Sequence, residues 1–539
     1  MESFAGDLSE MRRTPLSAAH VDALRRAGRT QTFAKGDMVG DIGEPITAFH
    51  YILRGEIEVV DPVTLERYLP NTLGATQFTG EISLLTGGVQ TLAMRAAEET
   101  DVIVLDRTAL LALMAQIPEM SDIIITVFSA RRRRQIEAGD TALGLIGADE
   151  DKAIGHIATF ASRNKIPYRT ARIGSDEARQ MCSACGLSGD EPAVILGDTK
   201  LDDPTPLSLA RLLKLDLRIE DDAVFDVLIV GGGPAGVAAA VYAGAEGLRA
   251  MVVEDIAIGG QAGTSSRIEN YMGFPTGISG ADLVWRGEIQ AMKFGTRFAM
   301  PHRVTSLRAR DDGVFEACVD DGTRVCAQAV VVATGVQYRR LPLAGLAALE
   351  GVGVYYAATE IEARRCANTD AIVVGGGNSA GQAAMYLSRS ARHVHVVVRG
   401  TSLAESMSDY LTNRLKADPA ITVHYETEIA ALHGTDRLER VTLAQRDGTH
   451  TEIDSCGLFI MVGATPHTGW LSGLVALDAG GYVLTGAEAG ADSPYATSRA
   501  GIFAVGDVRA GSVKRVASAV GEGSVVISKV WDVVKSGSR

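Results

Sequence analysis

The sequence predicts a multi-domain fold: a β-roll, then a small α/β domain, then a large α/β region with two strand–turn–helix–strand units. Three observations carry this. At 539 residues the chain is too long for one hydrophobic core and predicts three or four domains. Short alternating strand-like runs separated by glycine turns fill Gly28 to Asp106. An apolar run, a glycine turn, a helix rich in small residues and a second apolar run follow one another at 225–254, and again at 371–399.

Composition bounds the class. Hydrophobic residues make up 46% and charged residues 22%, the balance of a globular chain rather than a disordered one. A net charge of −14 argues against nucleic acid as the main partner. The opening MESFAGDLSEMRRTPLS has no apolar core of the signal-peptide kind, and no window is long and apolar enough for a membrane span. The 6 cysteines, Cys182, Cys185, Cys318, Cys326, Cys366 and Cys456, are too few for a disulfide scaffold of this size, so a reduced, cytoplasmic setting is expected.

In the front segment, Phe49–Leu53 and Ile57–Val60 flank the turn Arg54-Gly55-Glu56, and Asp101–Leu105 precedes a helical stretch from Thr108 to Gln135. Together with Gly80-Glu81 before a short apolar run, this resembles the cyclic-nucleotide-binding domain, assigned here to residues 1–145. The resemblance implies that Glu81 accepts a hydrogen bond from a ribose 2′-hydroxyl. It also puts Gln90 and Thr91 where the family carries an arginine and a small residue for the cyclic phosphate. The charge-assisted bond to phosphate is then missing, and such bonds are about twice as strong as neutral ones. A cyclic nucleotide is one candidate ligand; a structural or dimerising role is the other reading. Arg131 to Arg134 fall on consecutive helical positions and cannot share one face. They read as a solvated helix end or as interdomain ion pairs, with an anion or membrane-surface site as the alternative.

Residues 146–220 read as helix (His156–Ser162), strand (Pro167–Ile173), helix (Asp176–Cys185), strand (Glu191–Leu196, with Pro192 at its start), turn and helix (Leu207–Leu215). This order resembles a thioredoxin- or glutaredoxin-like domain, and the resemblance puts Pro192 at that family's cis-proline. Cys182-Ser-Ala-Cys185 has the spacing of a redox dithiol. It sits late in a later helix, however, away from the helix N-terminus that lowers a thiol pKa. Two ordinary cysteines one helical turn apart is the better reading.

The first glycine-turn unit runs from Phe225 to Glu254. Gly231 allows the tight turn, Gly233 lets a pyrophosphate approach the backbone, and Gly236 lets helix and strand pack. Pro234 and Ala235 open the helix, whose N-terminus suits an anion. Glu254, at the end of the second strand, suits a ribose diol. Beyond it lie Gly260-Gln261, Asn270 and the strand end Ala333-Thr334-Gly335. The second unit has Gly375, Gly377, Asn378, Ser379 and Ala380 at its turn and Arg399 where the first has Glu254. A cation there suits a 2′-phosphate, so the first unit is expected to hold FAD and the second NADPH, with NADH as the other donor. Last come Gly506-Asp507 at a strand end, then Val516-Ala517 at the start of the final helix.

Taken together, these motifs resemble the low-molecular-weight thioredoxin reductases over 224–539. The resemblance implies a two-dinucleotide-binding-domain flavoprotein, with an FAD domain at 221–338 and 463–539 and an NAD(P)H domain at 339–462. It implies a tightly bound FAD with Asp507 on the ribityl chain and Val516 and Ala517 near the pyrimidine end. It also implies a homodimer and rotation of one domain against the other. One departure bears on the chemistry. The family's redox Cys-x-x-Cys is replaced by Ala357 and Glu360 in a gap-free reading, and Cys366 has no cysteine within three residues. Hydride transfer from NADPH to flavin is expected, and no catalytic residue is assigned. The acceptor stays open among a disulfide, a ferredoxin- or flavodoxin-type carrier and a quinone. A redox or nucleotide sensor with incidental turnover is the alternative function.

Overall fold

β-Branched and aromatic runs broken by glycine form antiparallel strands at the front of the chain. In the computed structural model, which describes residues 14–61, 66–215, 224–265, 267–358, 360–404 and 406–537, the strands Arg29–Phe33, Thr100–Asp106 and Ala48–Arg54 make one sheet in that order. Met38–Gly40, Ala93–Ala96 and Ile57–Val60 make a second. Two units partition the chain: Met1–Glu220 with Gly244–Ala257 and Ile289–Arg303, and Asp221–Ala243 with Ile258–Glu288 and Val304–Arg539.

The first unit holds the roll. Its core runs through Phe49, Phe78 and Phe128, with ring centroids 5.2 Å and 6.1 Å apart in succession. Phe128 lies on the helix Pro118–Ala138, so this helix is pinned to the roll by an aromatic contact. The helical stretch expected from Thr108 to Gln135 consists of two helices, Arg107–Gln116 and Pro118–Ala138. Proline disfavours helical geometry at the residue before it and suits the first helical position, which breaks the chain at Ile117.

A four-stranded sheet follows, in the order Thr199–Lys200, Ala193–Leu196, Leu143–Ile146, Arg169–Ala171. Leu143–Ile146 is parallel to Arg169–Ala171 and antiparallel to Ala193–Leu196. Three helices, Lys152–Arg163, Asp176–Cys182 and Pro206–Leu212, connect or follow these strands. In chain order the strand sequence is 4-3-1-2, the arrangement of a thioredoxin-like sheet. Its first strand, Leu143–Ile146, is absent from the sequence reading because it is four residues long and contains a glycine. The cis-proline expectation is corrected: among the described residues the cis peptide bond is Met300–Pro301, and Glu191–Pro192 is trans. Pro192 immediately precedes the fully paired strand Ala193–Leu196, and the trans bond carries the chain into that strand in extended form. This unit also contains the parallel pair Ala250–Val253 and Arg297–Ala299.

In the second unit, Val224–Val230 lies parallel to Arg324–Val332. Phe315–Val319 and Val304–Ala309 extend that sheet as an antiparallel meander, and Ile502–Ala504 pairs with the end of Arg324–Val332. A further sheet has the order Ile421–His424, His393–Val397, Asp370–Val374, His450–Ile460, Arg440–Gln445, Thr427–His433. The strands near-continuous in Val and Ile are those buried on both faces, as parallel strands must be. A two-stranded antiparallel ribbon, Val336–Tyr338 with Ala464–Pro466, carries the chain out to this second sheet and back.

Candidate functional site: two glycine turns and a cassette

Positive φ and close backbone approach, which only glycine tolerates, build the first turn. Gly231 has φ 107°, and a Cβ on it would stand 2.4 Å from the carbonyl oxygen of Ala333. On Gly236 a Cβ would stand 1.9 Å from the oxygen of Gly231. Gly233 is different: a Cβ there would meet nothing within 4 Å, so open space lies in front of the helix Pro234–Ala245. Gly259 donates its N–H to the oxygen of Gly232 at 2.7 Å, and a Cβ on Gly260 would stand 3.1 Å from Gly233 Cα.

The other end of the chain closes on the same turn. A Cβ on Gly506 would lie 3.0 Å from Ala235 Cβ, and one on Gly523 would lie 2.1 Å from the oxygen of Ala235. The final helix, Val516–Gly537, therefore rests against the start of the first one. Glu522 fixes the Gly506–Val508 turn, accepting from Gly506 N at 2.7 Å and pairing with Arg509 at 2.8 Å. Glu522 and Gly523 are missing from the sequence reading. The available signal was Gly-Glu-Gly at 521–523 in a helix otherwise rich in valine. Asp507 is half-buried, burial pushes its carboxyl pKa up, and no hydrogen bond to its carboxylate forms among the described residues.

The remaining predicted residues are placed by their own contacts. Thr334 Oγ1 donates to the oxygen of His467 at 3.4 Å, and Gln261 Nε2 donates to the oxygen of Val336. Ala333 N donates to Val230 O at 2.8 Å, and Gly335 turns with φ 59°. Val516 and Ala517 are the first residues of the last helix. Asn270 is exposed, on a loop whose Glu269 accepts from Tyr410 Oη at 2.5 Å and pairs with Arg414 at 3.3 Å. In the first unit, Glu254 ends the strand Ala250–Val253. It is buried, and its Oε1 accepts from Ile256 N at 3.0 Å and Ala257 N at 3.3 Å.

The second turn repeats the pattern. Gly375 has φ 139°, and its Cβ would stand 2.4 Å from Met461 O. Gly377 is the N-cap of the helix Asn378–Leu387, and no side chain caps that helix, which leaves first-turn N–H groups for an external acceptor. Asn378 Oδ1 accepts from Ser408 N at 2.8 Å, so this side chain holds the neighbouring loop. Ser379 is exposed, Ala380 is buried in the core, and Arg399 is exposed with no ion pair among the described residues. Between the turns, Tyr338 and Tyr356 stack at 6.0 Å and 14°, and Tyr356 Oη donates to Glu350 at 2.6 Å.

The front cassette is occupied from within. Glu81 Oε2 accepts from Arg132 Nε at 2.9 Å and also from its Nη2, while Oε1 accepts from Ser83 N at 2.9 Å. Arg132 is 8% exposed and donates further to Ser83 Oγ at 2.7 Å and Lys165 O at 3.1 Å. Arg131 donates to Gly80 O at 2.7 Å. The expectation of a solvated helix end is thus corrected for these two. The 118–138 helix is pinned to the roll at Phe128, and three to four residues further on its side chains fall over Gly80-Glu81. Arg133 pairs within its own helix, with Glu137 at 2.8 Å. Gln90 packs on Gly40, whose Cβ would lie 2.6 Å from Gln90 Nε2, and Thr91 O accepts from Ala142 N at 2.9 Å.

Cys182 is fully buried and Cys185 half-buried, and burial pushes both thiols up. Neither is set up as a nucleophile.

Comparison with known proteins agrees with this geometry. Residues 225–523 match the family described as pyridine nucleotide-disulphide oxidoreductase, and residues 30–117 match the cyclic nucleotide-binding domain. A thioredoxin reductase of Streptomyces clavuligerus is 36% identical over 303 residues, covering 56% of this chain and 91% of the relative. One of Treponema pallidum is 34% identical over 302 residues, covering 56% and 94%. Among solved structures, thioredoxin reductase of Lactococcus lactis (FR conformation) aligns with a TM-score of 0.53 at 28% identity, covering 58% of this chain and 99% of that one.

Proposed function

The chain belongs to the pyridine nucleotide-disulphide oxidoreductase family and is an NAD(P)H-dependent FAD oxidoreductase of the thioredoxin reductase type with a cyclic nucleotide-binding domain ahead of it; from that premise we propose that NADPH is the preferred donor and that electrons leave to an acceptor other than a dithiol carried beside the second glycine turn. When bound, FAD supplies the acceptor for a nicotinamide hydride.

The residues fit both groups. The open face of Gly233 at a helix N-terminus would take the FAD pyrophosphate, with Gly231, Pro234, Ala235 and Gly236 shaping the turn. The half-buried carboxylate of Asp507 would accept from a ribityl hydroxyl, and Glu254 from the adenosine ribose. Gly260, Gln261, Asn270 and Ala333 to Gly335 would line the rest, with Val516 and Ala517 at the pyrimidine end. Gly375, Gly377 and the uncapped amides of Asn378, Ser379 and Ala380 would hold the NADPH pyrophosphate. Arg399 would hold the 2′-phosphate, which separates NADPH from NADH. The FAD part comprises 221–338 and 463–539 and the NAD(P)H part 339–462, and a homodimer is the working assembly.

The observation that carries the donor preference is the exposed guanidinium of Arg399, without an ion pair among the described residues, just past the strand of the second glycine-turn unit. Absence of cysteine at Ala357 and Glu360 supports a ferredoxin- or flavodoxin-type carrier or a quinone over a disulfide. Anaerobic titration of the flavin with NADPH and NADH, followed by these acceptors in turn, tests both. Equal rates with the two donors would remove the first proposal. Rapid thioredoxin reduction would remove the second.

A further inference from the structure

Cys366, at the end of the helix Glu360–Arg365, and Cys456, in the strand His450–Ile460, are 90 positions apart in the chain and read separately as unpartnered thiols. In the fold they meet. The two thiols are close enough to shift each other's ionisation, Cys456 down and Cys366 up. Cys456 Sγ also lies 3.0 Å from Thr369 Oγ1 and 3.2 Å from Arg365 O. Thr369 Oγ1 in turn donates to the Cys366 carbonyl oxygen at 3.0 Å, so one short turn ties Cys456 Sγ to the Cys366 backbone.

The backbone accounts for the meeting. Asp370 pairs with Ser455 and Ala371 with Gly457, which leaves Cys456 as the extra residue of a β-bulge, and bulges re-aim side chains. Gly457 leaves room for the second sulfur, because a Cβ there would stand 2.3 Å from Cys366 Sγ. Cys366 is fully buried and Cys456 half-buried, so one thiol is open to a small oxidant and the other waits behind it. The bulge sits at the start of Asp370–Val374, about 13 Å along the strand from the glycine turn at Gly375. The pair is therefore separate from the nucleotide turn.

We infer that Cys366 and Cys456 form an oxidisable dithiol that hydrogen peroxide converts to an intramolecular disulfide. Ionised Cys456 attacks one peroxide oxygen. The O–O bond breaks, and the hydroxide released takes up a proton to leave as water. Cys366 sulfur then attacks the sulfenic sulfur of Cys456, the S–O bond breaks, and the Cys366 proton leaves with that oxygen as the second water. Two electrons pass from the sulfurs to peroxide, and a small dithiol reverses the change. The mutual effect of the two thiols pushes the Cys456 pKa down and that of Cys366 up, and Cys456 is the more exposed of the two, which assigns attack to Cys456.

Full-length, flavin-loaded protein is pulsed with hydrogen peroxide, alkylated without reductant, and mapped by peptide mass. The expected product is a Cys366–Cys456 linked peptide lighter by two hydrogens than the reduced pair, lost on adding dithiothreitol. In Cys366→Ser, Cys456 should stop as a sulfenic acid that dimedone traps. Recovery of both cysteines fully alkylated after the pulse would overturn the inference. So would Cys456 reaching the sulfinic acid with Cys366 still free, or a link from either to Cys182 or Cys185. The wild-type map decides the matter even where the serine variant fails to fold.

Discussion

Arg132 Nε donates to Glu81 Oε2 at 2.9 Å, joining a helix to the cassette glutamate across 51 positions of sequence. The guanidinium stands on the carboxylate that a ribose hydroxyl would otherwise use. Both side chains are largely out of solvent, 10% and 13% exposed. Breaking such a pair on one side leaves an uncompensated charge, so Arg132→Gln should destabilise the front domain by about 3 kcal/mol. The double variant with Glu81→Gln should recover most of that loss in a denaturant titration. Cyclic AMP and cyclic GMP should leave the melting temperature of the wild type unchanged, because a ligand stabilises only a state it binds.

His50 provides a pH signature in the same domain. Its Nδ1 lies 3.0 Å from Thr79 Oγ1, next to Gly80, and burial, with Arg29 nearby, lowers its pKa to about 4. An unfolded histidine binds a proton near 6.5, about the usual value. Between these two values the unfolded state holds more protons than the folded one, so stability falls as pH drops through that window. The full loss is about 3 kcal/mol. His50→Gln should flatten the pH dependence of the melting temperature between about pH 6.5 and 4. An unchanged slope would show that another group titrates there.

Two glycines should separate binding from packing. Gly233 has open space where a Cβ would go, so Gly233→Ala should fold with wild-type stability yet purify with less flavin per protein. At Gly523 a Cβ would stand 2.1 Å from Ala235 O, so Gly523→Ala should cost about 1–3 kcal/mol of stability through overpacking. Flavin absorbance and thermal melts of both variants check this pair of outcomes.

Arg399→Ala should raise KM for NADPH by about 10-fold or more and leave KM for NADH within a factor of about two, since a charge-assisted contact contributes about 1.5–3 kcal/mol. Steady-state kinetics with both donors and a fixed artificial acceptor measure it. Equal effects on the two donors would place Arg399 outside the 2′-phosphate contact.

Much of this architecture was legible before any coordinates. A glycine that must have positive φ or a neighbour at van der Waals range is a local requirement, and Gly231, Gly236 and Gly375 met it in the structure. Strand–turn–helix order was equally local, and both families follow from it. What failed was also local in origin. Pro192 was assigned a cis bond by analogy of position, while the strand it leads into is served by a trans one.

The amino-acid sequence by itself determined the nucleotide turns, because their chemistry resides in consecutive backbone atoms. Only the tertiary structure decided which side chains meet across long separations. Helix Pro118–Ala138 docks through Phe128 and so delivers Arg132 to Glu81. A bulge opposite Asp370 turns Cys456 onto Cys366. No periodicity in the chain encodes either meeting, since each depends on how packed elements register against one another.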